Sequence, residues 1–182
     1  MTKHFKSMIV TALMASASVL LTRFLSLRIS IGGIEGIRLG FGSMPNIILG
    51  MVLGPAYGAI AGALSDVIGF ILSPMGGYMP HFTVTAALSG AIPGLVFRAL
   101  TPREERQYAS TWKLVVSLFS GAALVSWLLT PYFLHTIFGL DLRIILPPRV
   151  AASFVEVPTY TLVLKALYPS CVKLALRSLE AR

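Results

Sequence analysis

Long apolar runs alternate with short polar or Gly/Pro-rich breaks along almost the whole chain. Six runs carry most of the apolar residues: 7–27, 43–53, 56–72, 81–100, 112–133 and 146–167. A helix needs about 20 residues to cross the hydrocarbon core of a bilayer, and the run 43–53 falls short of that length. We expect the Gly-rich stretch 30–42 before it to form an ordered loop that completes this span. The pattern predicts an all-α integral membrane protein, with six transmembrane helices in a compact bundle and a single domain over 1–182.

The composition agrees with that prediction. Of the 182 residues, 55% are apolar and 12% are charged, against about 25% charged in soluble proteins, and the mean hydropathy is +0.80. These values exclude a disordered chain and a water-soluble enzyme. The first run shares features with a signal peptide, with Lys3 and Lys6 before it and small residues at 15–17, but its apolar residues continue past that point. We therefore interpret it as a membrane helix.

The basic residues orient the predicted bundle in the lipid bilayer. With both termini in the cytoplasm, the cytoplasmic segments hold ten of the fifteen basic residues, whereas Arg28, Arg38 and Arg143 lie outside. Basic residues prefer the cytoplasmic side of a membrane protein. We therefore expect an N-in/C-in topology for a multi-pass protein of the cell membrane.

Several kinds of chemistry have no support in the sequence. Cys171 is the single cysteine and the three histidines are scattered, so no metal site or disulfide framework is expected. No Gly-Lys dipeptide occurs, and a nucleotide-binding P-loop is therefore excluded. We expect no metal, no cofactor and no nucleic-acid partner.

Polar residues inside the predicted spans fall in the outer half of the membrane. They come from all six runs: Arg23, Asn46, Asp66, His81, Trp127, Arg149 and Glu156. Ionisable groups are costly in hydrocarbon and usually face a cavity or a partner. Their shared depth favours a binding pocket that opens outward and is sealed inside by apolar packing. Snorkelling arginines, structural ion pairs and an aromatic belt remain the alternatives for individual residues.

The balance of charges in this pocket is basic. Arg23, Arg38 and Arg149 outnumber Asp66 and Glu156, which favours an anionic ligand, because arginine holds a carboxylate through two parallel hydrogen bonds. A buried carboxylate accepts hydrogen bonds from ring N–H and amino groups. The aromatic residues of the outer loops, Phe41 and Tyr78 among them, are suited to cover a flat ring.

Two further patterns concern movement and partners. The outer loops 32–42 and 74–80 contain Gly40, Gly42, Gly76 and Gly77, and such loops suit a gate over a ligand, with a simple tight turn as the alternative. Two pairs of small residues four apart in the first run, Thr11/Ala15 and Ala12/Ser16, permit close helix approach. They serve internal packing or the docking of a partner protein.

Several segments of the sequence together resemble a known family. These are Arg-Leu-Gly-Phe-Gly-Ser-Met-Pro at 38–45, Gly-Ala-Leu-Ser-Asp at 62–66, Pro-Met-Gly-Gly-Tyr-Met-Pro-His-Phe-Thr at 74–83 and Leu-Pro-Pro-Arg-Val at 146–150. They resemble the S components, the substrate-binding subunits of energy-coupling factor (ECF) vitamin transporters, and within them the folate-specific branch. The resemblance extends over essentially the whole chain.

The resemblance implies a function and partners. Members of this family are six-helix vitamin binders of the bacterial cell membrane that work with a transmembrane coupling protein and two ATPase subunits. They are thought to topple in the membrane, and an Ala-x-x-x-Ala motif in the first span typically forms the docking face. Here Thr11/Ala15 and Ala12/Ser16 are the nearest matches.

For folate, the resemblance suggests roles for the candidate residues. Arg38 or Arg149 would pair with the anionic glutamate tail, and Glu156 or Asp66 would read the pterin edge. The rings of folate would pack on the aromatic residues Phe41, Tyr78 and Trp127.

Three alternatives stay open at this point. The first is an S component for another vitamin, such as pantothenate, biotin or a hydroxymethylpyrimidine. The second is a small membrane transferase, although such enzymes usually need clustered carboxylates or a His/Asp set, and Asp66 has no acidic neighbour within ten residues. The third is a channel or scaffold, but a channel needs polar groups through the whole thickness of the membrane. We expect a transport protein and no enzyme activity.

Overall fold

A computed structural model describes residues 3–24, 26–31, 34–74, 77–102, 105 and 110–180. Within these ranges the chain forms six helices and one two-stranded hairpin. In chain order the elements are α1 (Lys3–Phe24), β1 (Ser26–Ile31), β2 (Ile34–Gly40), α2 (Met44–Val52), α3 (Pro55–Leu72), α4 (Pro80–Leu100), α5 (Thr111–Phe138) and α6 (Leu142–Glu180). The middle of α5, Ala122–Leu129, is a π-helix.

The hairpin between α1 and α2 differs from the sequence-based expectation. The sequence predicts an ordered Gly-rich loop over 30–42, but β1 and β2 pair antiparallel, with residue 28 opposite residue 38 and an irregularity between Ile29 and Ser30. The sequence alternates apolar and polar residues over 26–31, which is the period of a strand. The loop expected over 30–42 is therefore wrong, whereas the all-α prediction holds for the apolar spans.

In the part of the chain that the structure describes, five helices are long and apolar enough to cross a membrane: His4–Phe24, Pro55–Leu72, Pro80–Leu100, Thr111–Phe138 and Leu142–Ser170. The sixth, α2, has 9 residues and is therefore only about 14 Å long. Its residues 44–51 are all buried, so protein surrounds this short helix. A six-helix count is correct for the described residues, but α2 does not span a bilayer by its own length.

The break after α2 lies at Gly54 and Pro55. Gly54 has φ 129°, a backbone conformation that side chains with a Cβ rarely adopt, and proline begins α3. The guanidinium of Arg98 on α4 donates to the main-chain carbonyls of Val52 (2.9 Å) and Met51 (3.5 Å). These carbonyls are among those that a helix leaves without partners at its C-terminus, so Arg98 caps α2.

Helices α2, α3 and α4 meet along a seam of glycines. A Cβ added at Gly90 would lie 2.3 Å from the carbonyl oxygen of Gly58, and one at Gly50 would lie 2.2 Å from that of Gly90. Gly94 and Gly62 approach neighbouring main chain as closely. We call Gly50, Gly58, Gly62, Gly90 and Gly94 the glycine seam. Its backbone contacts fix the spacing of these three helices.

Apolar packing fills the end of the bundle opposite the hairpin. Phe97 of α4, Leu114 of α5 and Leu164 of α6 are fully buried there together with Tyr168. The rings of Phe97 and Tyr168 meet edge to face, with centroids 5.4 Å apart. This end is therefore closed.

Candidate functional site

A cavity of about 440 Å³ lies at the hairpin end of the bundle. Its lining comes from the C-terminal parts of α1, α3 and α5, from the start of α2, and from the N-terminal parts of α4 and α6. All of these parts reach the hairpin end. The polar part of the lining is formed by Ser18, Thr22, Arg23, Ser43, Asn46, Ser65, Asp66, Ser73, Tyr78, Thr85, Ser89, Ser126, Thr130, Arg149, Glu156 and Tyr160. Its volume is within the range of about 300–1,000 Å³ common for small-molecule sites.

The structure brings six of the ten candidate ligand-binding residues to this one cavity. These are Arg23, Asn46, Asp66, Tyr78, Arg149 and Glu156. Arg149 and Glu156 are seven residues apart on α6, which is two helical turns, and they therefore share one face. The cavity thus combines two guanidinium groups with two carboxylates.

Three of the other candidates, Phe41, His81 and Trp127, are not part of the described cavity lining. Phe41 packs on Tyr160, with ring centroids 6.0 Å apart, and His81 stacks on Phe133 at 5.3 Å. The indole N–H of Trp127 donates to Ser153 Oγ at 3.0 Å, inside the helix packing. Arg38 lies on β2, and its side chain is outside the described part of the structure.

Asn46 is the centre of a buried hydrogen-bond network between three helices. Its Nδ2 donates to Ser18 Oγ of α1 at 2.9 Å and to Ser65 Oγ of α3 at 3.0 Å. The Ser18 hydroxyl donates in turn to the carbonyl of Gly42, and the Ser65 hydroxyl to that of Ala61. The network ties the start of α2 to α1 and α3 at the wall of the cavity.

A second network joins Asp66 to the loop between α3 and α4. The Thr83 hydroxyl donates to Asp66 Oδ2 at 2.7 Å, and the Tyr78 hydroxyl lies 2.8 Å from Thr83 Oγ1. Because Thr83 has one hydroxyl proton and gives it to the carboxylate, Tyr78 is the donor to Thr83. The Tyr78 ring also packs on Phe70, with centroids 5.3 Å apart.

Sequence reasoning missed the hydroxyl residues of the site. Tyr160 donates to the carbonyl of Gly40 and lies 3.1 Å from Ser43 Oγ, so it connects α6 to the turn before α2. Thr83 and Ser18 were missed as well. Small hydroxyl residues are frequent in membrane helices for packing reasons, and a tyrosine in a span is typical of an aromatic belt, so no signal distinguished them.

The gating glycines have different surroundings. A Cβ at Gly42 would lie 2.0 Å from Thr22 Oγ1, so a close approach requires glycine there, whereas a Cβ at Gly77 would meet nothing within 4 Å. Gly40 contributes its carbonyl to Tyr160. Gly76 lies outside the described residues.

The docking residues divide between two faces of α1. Ala15 and Thr11 are buried, with 1% and 4% of their surface exposed, and Ala15 packs on Leu49 and Ala61. Ala12 and Ser16 are exposed. Thr11 and Ala15 therefore serve internal packing in this structure, which is one of the two roles expected for these pairs, and Ala12 and Ser16 remain the candidate docking residues.

Comparisons with known proteins find a family and relatives that this chain resembles. The family model of the ECF-type riboflavin transporter S component matches residues 2–170. A curated relative, the folate transporter FolT of Clostridium novyi (strain NT), is 28% identical over 162 residues, which cover 89% of this chain and 87% of the relative.

Two solved structures are similar over nearly the whole chain. The crystal structure of FolT bound with folic acid has a TM-score of 0.74 at 25% identity and covers 94% of this chain and 97% of that one. The S component of a bacterial ECF transporter has a TM-score of 0.67 at 19% identity, with 94% and 98% covered, and at that identity it supports the fold alone.

The fold is that of a helical multi-pass membrane protein with a cavity at one end of its bundle. The chain belongs to the family of ECF-type riboflavin transporter S components. Within that family it resembles FolT in sequence and in structure. It is accordingly a multi-pass protein of the bacterial cell membrane.

Proposed function

We propose that this chain is the folate-binding subunit of an ECF-type importer. The observation that carries the proposal is the cavity itself, in which Arg23 and Arg149 lie together with Asp66 and Glu156 among apolar helices. The FolT relative and the FolT structure with folic acid support folate as the ligand.

The chemistry of folate suits this set of side chains. Its glutamate tail is anionic and matches the planar donors of Arg149 or Arg23. Its pterin edge presents N–H and amino donors, which a carboxylate such as Glu156 or Asp66 accepts. Tyr78 and Phe82 at the rim supply aromatic surface for the rings.

Transport would require several protein chains with different roles. In this proposal the single membrane domain lies N-in/C-in, takes the vitamin from the outside and carries it inward by reorienting in the membrane. A transmembrane coupling protein and two ATPase subunits would supply the energy, with Ala12 and Ser16 on the docking face. The chain itself would be a binder and no enzyme.

Titration calorimetry of the purified protein in detergent tests the ligand. We expect one-to-one binding of folic acid without ATP or partner subunits. Riboflavin is the second candidate, because the matching family model is described by that vitamin, and pantothenate and biotin complete the panel. Binding of another vitamin in place of folic acid would keep the S-component assignment and reject the ligand, and binding of none by a folded sample would reject both.

Paired variants test the cavity. Arg149→Ala should weaken folic acid binding, whereas Arg143→Ala, an exposed arginine on the same helix outside the cavity lining, should leave it unchanged. Glu156→Ala and exposed Asp141→Ala form the corresponding acidic pair. Wild-type affinity in both Arg149→Ala and Glu156→Ala would mean that the ligand binds elsewhere.

A further inference from the structure

The π-helical segment of α5 lies beside the cavity. Helix α5 is α-helical up to Gly121 and again from Thr130, and Ala122–Leu129 between them is a π-helix. Val125 and Ser126 of this segment line the cavity, as does Thr130 directly after it. π-helical turns inside α-helices are rare and are frequent at functional sites. The irregular segment therefore forms part of one wall of the cavity.

Pro131 explains why the π-helix lies at this place in the sequence. The main-chain N–H and the hydroxyl of Thr130 both donate to the carbonyl of Val125, five residues earlier, the hydroxyl at 2.8 Å. Proline has no N–H for the next bond, and in an α-helix its ring would clash with the carbonyl four residues earlier, that of Trp127. A wider turn avoids this clash. Pro131 is fully buried but is not part of the described cavity lining.

The π-helix also sets the direction of the hairpin end of α5. The hydrogen bonds change from i→i−4 to i→i−5 and back again, so the segment holds one residue more than an α-helix with the same ends. One residue of an α-helix corresponds to a rotation of about 100°. The other end of the segment is fixed, because a Cβ at Gly121 would lie 2.6 Å from Pro93 Cγ of α4. An all-α helix from Gly121 onward would therefore turn Thr130 and Phe138, which both line the cavity.

We infer that Pro131 is a positioning residue, which holds α5 in its π-helical register and thereby directs the hairpin end of this helix toward the cavity. The inference rests on the proposed function, because a bound vitamin reports the shape of the cavity, but it concerns the register of one helix rather than a ligand contact. Pro131→Ala supplies the missing N–H and removes the clash, so an α-helical bond to the Trp127 carbonyl can form. The helix then becomes regular while the cavity changes on this side.

Calorimetry with folic acid and thermal unfolding in detergent separate positioning from stability. We expect Pro131→Ala to weaken folic acid binding by about 10-fold, the equivalent of one lost polar contact, with a Tm equal to or above that of the wild type, because alanine favours a helix. Pro169→Ala is the matched control, since Pro169 is an interior proline of α6 outside the described cavity lining, and it should leave affinity unchanged. Adding a deletion of the exposed Leu124 to Pro131→Ala removes the extra residue and should restore affinity to within about 3-fold of the wild type.

Trp127 reports the helix register without any ligand. Trp112→Phe leaves Trp127 as the single tryptophan, and its indole donates to Ser153 Oγ at 3.0 Å. In this background Pro131→Ala should change the quenching of Trp127 fluorescence by a brominated detergent, because a new register moves the indole away from Ser153. Pro169→Ala should give the quenching of the parent.

Wild-type affinity or unchanged Trp127 quenching in Pro131→Ala would overturn the inference. A Tm that falls together with affinity, or no recovery of affinity on deletion of Leu124, would overturn it as well, because each assigns Pro131 a general role in packing. If Pro131→Ala does not fold, the variant that also lacks Leu124 decides, and the inference fails if that variant is unfolded or binds weakly. A wild type that binds neither folic acid nor riboflavin would overturn the proposed function alone, since the quenching of Trp127 tests the register separately.

Discussion

The hydroxyl of Thr83 donates to Oδ2 of Asp66 at 2.7 Å. The same hydroxyl receives a hydrogen bond from Tyr78 on the loop between α3 and α4. A carboxylate in the cavity is thereby connected to the loop at its rim. A ligand that displaces Thr83 from Oδ2 of Asp66 would therefore act on the loop through Tyr78.

Thr83→Val should therefore release the loop while preserving the shape of the side chain. We expect the dissociation rate of the bound vitamin to rise by about 3- to 10-fold, which corresponds to the loss of one neutral or charge-assisted hydrogen bond. Stopped-flow displacement measures this rate. Thr136→Val is the matched control, because the exposed Thr136 hydroxyl donates to the Tyr132 carbonyl of its own helix. Equal rates in the two variants would remove Thr83 from the mechanism.

Arg98 is expected to contribute to stability rather than to binding. Arg98→Ala leaves the carbonyls of Met51 and Val52 without their cap, at a cost of about 1–3 kcal/mol. Thermal unfolding in detergent should show a lower Tm, with vitamin affinity unchanged because Arg98 lies far from the cavity lining. Arg143→Ala serves as the control for loss of a positive charge. A Tm equal to that of the wild type would contradict the capping role.

A substitution in the glycine seam should be poorly tolerated. In Gly90→Ala the new Cβ meets the Gly58 carbonyl at 2.3 Å, and overpacking of this kind typically costs about 1–3 kcal/mol or more. Gly77→Ala is the control, since nothing lies within 4 Å of its Cβ position. We expect a lower yield of monodisperse protein and a lower Tm for Gly90→Ala alone. Similar values for both variants would mean that α2, α3 and α4 separate easily.

The exposed side of α1 provides a test of partner docking. Ala12→Trp should abolish vitamin uptake by proteoliposomes that contain the coupling protein and ATPases, because a large side chain prevents close helix approach. Vitamin binding by the isolated subunit should not change. Leu128→Trp, at a lipid-exposed position on α5, should transport normally. Normal uptake by Ala12→Trp would move the docking face elsewhere.

Labelling with a membrane-impermeant maleimide tests the topology. Cys171 is the single cysteine, so Cys171→Ser gives a background without thiols. In that background Gly77→Cys should react in intact cells, and Glu105→Cys only after permeabilisation. The reverse pattern would invert the proposed N-in/C-in orientation.

The five long spans were predictable because apolar runs of that length have one stable location, the bilayer. Their rotations about the helix axes were not predictable. Trp127 illustrates the reason, since it lies within the π-helical segment Ala122–Leu129, which changes the residues per turn and so the direction of every later side chain. Its indole therefore bonds to Ser153 rather than lining the cavity.

The residues of the cavity were predictable only in part, for a related reason. The depth of Arg23, Asp66 and Glu156 follows from counting residues along a span, and all three line the cavity. Partners such as Thr83 and Ser18 become visible only when neighbouring helices are placed side by side. The hairpin was missed because its glycines outweighed the two-residue alternation of its strands.

The glycine seam has an evolutionary consequence. Where helices touch through main-chain atoms, no exchange of side chains can bring them closer, and any added atom forces them apart. The distances between α2, α3 and α4 are therefore expected to stay constant under most viable substitutions. Side chains of these helices that line the cavity can then change its polarity and charge but not its width. Adaptation to a wider or narrower vitamin is expected to proceed by shifts of α1, α5 or α6, whose contacts are made by side chains.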